Sequence, residues 1–196
     1  MVMKFLSRFF ATRPDFARPD SVLPAEPGSP GWDAANTLSP AERKAFYAVL
    51  RLAGAHLPAP QLQRLLAGYR ASAAQGGSAA EVLAAGFEDD DDLQALSQRV
   101  AVPTEPARLR EALDALRLYA QALGLPGGLP PAVAAAANVP AALQAMAAAL
   151  RASGREPAFV ASDGDTEWLL SVPTAEAAEL QRQATACGLE LRPTPG

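Results

Sequence analysis

The sequence predicts an α+β protein: a mainly helical N-terminal half packed on a small, mostly antiparallel sheet formed by the C-terminal third. Three observations lead there. Helix-capping signals and helical apolar spacing recur from Ser39 onward. The clear β signal is confined to Phe159-Val160-Ala161 and Trp168-Leu169-Leu170-Ser171-Val172, on either side of the acidic turn Ser162-Asp163-Gly164-Asp165. The apolar fraction is 49 %, much of it alanine, which suits closely packed helices rather than a large aromatic core.

A chain of 196 residues is long enough to bury one full core without disulfides or metal. We expect an amphipathic segment over 1–12, a proline-rich linker over 13–37, and a single globular α+β domain over 38–196. In the first segment Val2, Phe5, Leu6, Phe9 and Phe10 follow helical spacing, while Lys4, Ser7 and Arg8 fall on the other side. In the linker, Pro14, Pro19, Pro24, Pro27 and Pro30 exclude regular helix and favour extended chain. Trp32 is a candidate for pinning it to the body.

Ser39-Pro40-Ala41-Glu42 is a capping box with proline in the first turn. The helix it opens buries Phe46, Val49, Leu50, Ala53 and Leu57. A second helix over 59–73 turns Leu62, Leu65, Leu66 and Tyr69 inward and stops at Gln75-Gly76-Gly77. Ser78-Ala79-Ala80-Glu81 is another capping box, opening a short helix through Val82, Leu83 and Phe87. The acidic run Glu88-Asp89-Asp90-Asp91-Asp92 follows, and then a helical turn with Leu93, Leu96 and Val100. Thr104 reads as the cap of a long helix over 105–123, burying Leu109, Leu113, Leu116, Ala120 and Leu123, with Gly124 as its stop. Small residues over 132–137 suit a helical turn. A helix over 141–152 buries Leu143, Met146 and Leu150. After the hairpin, Pro173-Thr174 begins a helix that runs to about Cys187 with Ala177, Leu180 and Ala184 inward. Leu189 and Leu191 then alternate with Glu190 and Arg192, as in a strand with one buried face.

The C-terminal pattern resembles a bacterial family, the domain of unknown function numbered 6630. The matching stretches are Phe159-Val160-Ala161-Ser162-Asp163-Gly164-Asp165, Leu169-Leu170-Ser171-Val172-Pro173 and Ala186-Cys187-Gly188-Leu189-Glu190-Leu191. Trp168 departs from it, since a smaller or tyrosine-like residue is expected near the turn. The family carries no established activity, so the resemblance implies a fold and no catalytic residues.

The residues themselves hold no catalytic signature. There is no G-x-S-x-G, G-x-x-x-x-G-K-[ST] or G-x-G-x-x-G. His56 is the only histidine, at a helix C-terminus where a cation is favoured. Cys187 is the only cysteine, which excludes an intrachain disulfide, suits a reducing compartment, and reads as packing rather than chemistry. No cofactor and no catalytic residue is assigned. Candidate ligands for a hard cation are Asp89 and Asp91 in the acidic run and Asp163 and Asp165 in the hairpin turn. A solvated loop or the negative start of a helix is the preferred reading of the run, ahead of a partner-facing patch and of metal binding, and turn chemistry explains the aspartates.

Net charge is -4, so no general nucleic-acid binding is expected. No apolar run approaches the ~18 residues of a membrane span, and the first residues show no uninterrupted apolar region with an A-x-A site, so secretion is not expected. The leading expectation is a non-enzymatic interaction or regulatory protein, cytoplasmic or peripheral to the inner face of the membrane. Phe5, Leu6, Phe9 and Phe10, with Lys4 and Arg8, would contact a protein partner or membrane surface through residues 2–11, and the acidic run would face a basic partner. Two alternatives stand beside it: a metal-dependent enzyme using the acidic run and the Asp163/Asp165 turn, and a nucleic-acid-associated protein using Arg108, Arg110, Arg117 and Arg151.

Overall fold

A computed structural model describes residues 37–87, 91–104, 108–161 and 167–192. The amphipathic segment, the linker with Trp32, and the Asp163/Asp165 turn lie outside the described residues. The order is α1 (Pro40–Ala53), α2 (Ala59–Ala74), α3 (Ala79–Ala85), α4 (Asp91–Ser97), β1 (Ala101–Pro103), α5 (Leu109–Ala122), α6 (Pro131–Ala134), α7 (Val139–Ala152), β2 (Arg155–Ala161), β3 (Glu167–Pro173), α8 (Ala177–Ala186) and β4 (Glu190–Arg192). A single 3-10 turn over Thr174–Glu176 leads into α8. The fold is α+β, with one four-stranded antiparallel sheet in the order β1-β3-β2-β4.

Local sequence sets the helix starts. Ser39 Oγ accepts the Glu42 N–H at 3.2 Å and Glu42 Oε2 accepts the Ser39 N–H at 2.7 Å. Ser78 and Glu81 repeat the pattern at 3.3 and 2.7 Å. Each box satisfies two donors that a helix start otherwise leaves unpaired. Asn138 caps α7 through the Ala141 N–H. Gly124 ends the α5 segment at φ +66°, a left-handed conformation that glycine adopts without steric cost.

The sheet has helices on both faces. Side chains alternate along each strand, and the register sorts them. Ala101, Ala158, Val160, Trp168, Leu170 and Val172 join the core built by α1, α2, α3 and α8. Val102, Phe159 and Leu169 join the core built by α5, α6 and α7. Phe159 pairs with Leu169, and Leu169 with Val102, so these three form one apolar row across three strands. On the opposite face Trp168 stacks on Phe87 at 6.2 Å, and Phe46 meets Tyr69 edge-on at 5.8 Å.

Four sequence expectations are corrected. First, one strand comes from outside the C-terminal third. Ala101–Pro103, between the helical turn through Val100 and Thr104 and given no element from the sequence, pairs with Trp168, Leu169 and Leu170. Second, Thr104 does not cap a helix. Its N–H and its hydroxyl both donate to the Glu167 carbonyl, at 2.8 and 3.1 Å, extending the β1–β3 ladder, and α5 starts at Leu109. Third, the deepest residues of α5 are Ala112, Leu116, Tyr119 and Ala120, while Leu109, Leu113 and Leu123 are half-buried. Fourth, the first hairpin strand begins at Arg155 rather than Phe159.

The strand prolines avoid breaking the ladder. The Thr174 N–H donates to the Gly154 carbonyl at 3.0 Å, which makes Glu156, Ala158 and Val160 the β2 residues that bond to β3. Pro157 falls on the alternate set, facing away from β3, and β4 reaches only Phe159, Val160 and Ala161. The N–H that Pro157 lacks therefore removes no sheet hydrogen bond.

Candidate functional site

Most of the sequence-derived site residues lie outside the described residues: Lys4, Phe5, Leu6, Arg8, Phe9, Phe10, Asp89, Asp163 and Asp165. Asp91 begins α4, so part of the acidic run forms the first turn of a helix, where the backbone dipole favours negative charge. Asp92 beside it is exposed. Among the described residues no group of three or more His, Cys, Asp or Glu side chains is placed to hold a metal ion. Of the four arginines of the nucleic-acid alternative, Arg117 pairs with Asp114 at 2.6 Å and Arg151 with Glu156 at 3.5 Å. Arg108 and Arg110 are exposed.

The strongest concentration of buried polar groups was not legible beforehand. It sits at the end of the hairpin away from the Asp163/Asp165 turn. Ser171 is fully buried in β3, on the α5 side of the sheet. Its Oγ lies 2.8 Å from the Tyr119 hydroxyl of α5 and accepts the Arg155 Nε–H at 3.0 Å. Arg155 Nη2 also donates to the Ser171 carbonyl at 2.9 Å. That carbonyl lies on the edge of β3 that β1 leaves uncovered. One arginine therefore closes the strand edge and orients the serine.

Burial pushes the Tyr119 phenol up to about 12, with Ser171 and Arg155 pulling the other way. Burial also lowers the Arg155 guanidinium, which Tyr119 partly offsets. A serine nucleophile needs a neighbour that can take its proton. Ser171 has a phenol held protonated and a cation, and neither is a base at neutral pH. The cluster therefore clamps α5 to the hairpin and does not activate Ser171. Removing the hydroxyl in Ser171→Ala leaves both Tyr119 and Arg155 Nε without this partner, at an expected cost of about 2–3 kcal/mol. Tyr119→Phe leaves the Ser171–Arg155 bond intact and is expected to cost about 1 kcal/mol. Urea unfolding of the two variants checks the order, and Tyr119→Phe proving the costlier change would contradict it.

Arg155 also lines an open cleft of about 470 Å³ between the C-terminal turns of α5 and α7, floored by Gly124, Gly154 and Pro173. A lone guanidinium in a cleft suggests an anion site, but the electrostatics oppose it. Each helix C-terminus carries roughly half a negative charge, so two of them about cancel Arg155. The cleft is a neutralised helix junction.

His56 lies just past the C-terminus of α1, where the sequence places it, but burial disfavours its charged form. It does not act as a free cation at a helix end. Its Nε2–H donates to the Arg99 carbonyl at 2.9 Å, tying the α1–α2 loop to the residues before β1. Nδ1 is buried and makes no hydrogen bond among the described residues. Burial lowers its pKa below the ordinary 6.5, Arg155 lowers it further, and the Arg99 and Ala53 carbonyls oppose them. The folded state thus releases a proton that the unfolded chain keeps. The stabilisation is complete above about pH 6.5 and is lost as pH falls through the folded-state value. Thermal melts from pH 8 to pH 5 should show wild type losing stability in this window more steeply than His56→Asn. Parallel curves would contradict the assignment.

Cys187 is buried at the end of α8, its thiol directed at the Ala184 carbonyl at 3.3 Å. Burial pushes it up to about 11, far from thiolate reactivity. No helix among the described residues is long and apolar enough to cross a membrane. Compared with family models, with curated proteins and with solved structures, the chain finds no match.

Proposed function

We propose that this chain is a non-enzymatic interaction or regulatory protein that docks through its N-terminal amphipathic segment. The observation that carries the proposal is the spacing of Val2, Phe5, Leu6, Phe9 and Phe10 opposite Lys4 and Arg8. Three phenylalanines on one face bury enough apolar area to bind a surface, and the two cations suit an anionic one. The character of the body supports the reading. Two pairs of its buried polar side chains, Tyr69 with Ser97 and Tyr119 with Ser171, are hydrogen-bonded to each other and tie elements together. The setting proposed is cytoplasmic, at the inner face of the membrane or on a protein partner, with the acidic run facing basic groups there. The resemblance of the C-terminal third to the domain of unknown function 6630 adds no activity to this.

The test is fractionation of host cells expressing the full chain or its Phe5→Ser/Phe9→Ser variant. Wild type is expected with membranes or in an assembly larger than the free chain, and the variant is expected free. Identical fractionation of the two would overturn the proposal.

A further inference from the structure

The ion pairs of the described residues are unevenly distributed. Arg117, Arg151, Arg182 and Arg192 each have a carboxylate partner, and all of them lie in α5 or beyond. The α1–α2 hairpin carries Arg43, Lys44, Arg51, Arg64 and Arg70 against a single acid, Glu42. Glu42 is engaged with the Ser39 N–H, and the Ser39 hydrogen bonds hold its carboxyl below the ordinary carboxylate value. None of the five cations has a carboxylate within ion-pair distance among the described residues. In a protein of net charge -4 this hairpin is a local basic surface.

Four of these cations share one face. At 100° per residue, Arg43, Lys44, Tyr47 and Arg51 fall within an arc of about 100° that flanks the buried arc of Phe46, Val49 and Leu50, with Arg43 at its border. Arg70 of α2 lies over the Tyr47 ring, its Cζ 5.7 Å from the centroid, which brings the second helix to the same patch. Lys44, Arg51 and Arg70 are exposed, and Arg43 and Tyr47 are half-buried. Arg43, Tyr47 and Arg51 follow each other every four residues, so the two arginines flank Tyr47 along about 12 Å of helix.

We propose that this face, Arg43, Lys44, Arg51 and Arg70 around Tyr47, is a docking surface for an acidic helical segment of a protein partner. Carboxylates eight residues apart on a partner helix stand about 12 Å apart, the rise between Arg43 and Arg51, with Lys44 and Arg70 beside them. A long polyanion fits less well. The chain as a whole is negative, and α4, which packs on α2, begins within the acidic run Glu88 to Asp92. A nucleic acid extending past the patch would meet a protein of net charge -4, whereas a short acidic helix needs only the patch. The surface is independent of the N-terminal segment and stands or falls separately from it.

The test titrates the full chain into a fluorescent, glutamate-rich helical peptide, with a single-stranded oligonucleotide as comparator, at 50 and 200 mM salt. Binding of the peptide is expected, stronger than that of the oligonucleotide and weakening with salt. Arg43→Gln/Arg51→Gln/Arg70→Gln should weaken it about ten-fold or more. Arg117→Gln/Arg151→Gln/Arg182→Gln, which removes the same charge elsewhere, should leave it near wild type. If the first variant fails to fold, Lys44→Gln/Arg51→Gln changes exposed side chains only and is expected to weaken binding in the same direction. Absence of peptide binding at 50 mM salt, equal losses in the two triple variants, or preference for the oligonucleotide would overturn the proposal.

Discussion

Phe159→Ala is expected to destabilise the protein by about 3–5 kcal/mol, lowering the melting temperature by on the order of 10 °C. Phe159 is 1 % exposed and lies in the middle of the sheet's α5–α7 face, paired with Leu169. Leu169, Leu116, Met146 and Leu150 of the same core are fully buried. A void there is bounded by the hairpin backbone on one side and helices on the other, so little can relax into it. The same truncation on a surface helix residue such as Leu118, which is 50 % exposed, should cost well under 1 kcal/mol. Thermal and urea melts of the two variants make the comparison. Similar losses would mean that the α5–α7 core does not lean on the hairpin.

The second large effect is expected at Gly86, where no left-handed backbone is involved. Its φ is -63°, which any residue adopts, so substitution tests space alone. A methyl group built on Gly86 overlaps the hydroxyl and ring of Tyr69. Tyr69 has no easy retreat. It is 1 % exposed, packs edge-on against Phe46, and its hydroxyl lies 2.9 Å from Ser97 Oγ. Burial holds that phenol protonated far above its ordinary range. Gly86→Ala therefore combines overpacking, about 1–3 kcal/mol, with a disturbed buried hydrogen bond of about 1 kcal/mol. Shortening the ring in Tyr69→Leu should make Gly86→Ala much less harmful, a coupling that a double-mutant cycle reads directly. Strict additivity of the two changes would refute the contact.

What was legible in the sequence follows the range of the forces involved. Ser39 to Glu42 and Ser78 to Glu81 announce helix starts because a capping box closes within four residues. The hairpin was legible because an Asp-Gly turn lies between two apolar runs. β1 was not, since Ala101, Val102 and Pro103 become a strand only by pairing with residues about seventy positions later. Thr104 misled for the same reason, its cap-like hydroxyl being taken by Glu167. In the polar cluster, Ser171 was a visible signal, a lone hydroxyl in the apolar run of β3, but its partners come from α5 and the start of β2. The basic face was half legible. Arg43, Tyr47 and Arg51 stand at helical spacing in the sequence, whereas the arrival of Arg70 over Tyr47 is a tertiary fact.

Docking by the N-terminal segment with a body that serves as scaffold is tested most directly by measuring three full-length chains side by side. They are wild type, Phe5→Ser/Phe9→Ser and Ser171→Ala, each assayed for the fraction held on host membranes or in the partner assembly, at a temperature where all are folded. The expected result is loss of association in the phenylalanine variant alone, with Ser171→Ala retained like wild type. Loss in Ser171→Ala with the phenylalanine variant retained would contradict the account and place the working site at the Arg155–Ser171–Tyr119 cluster.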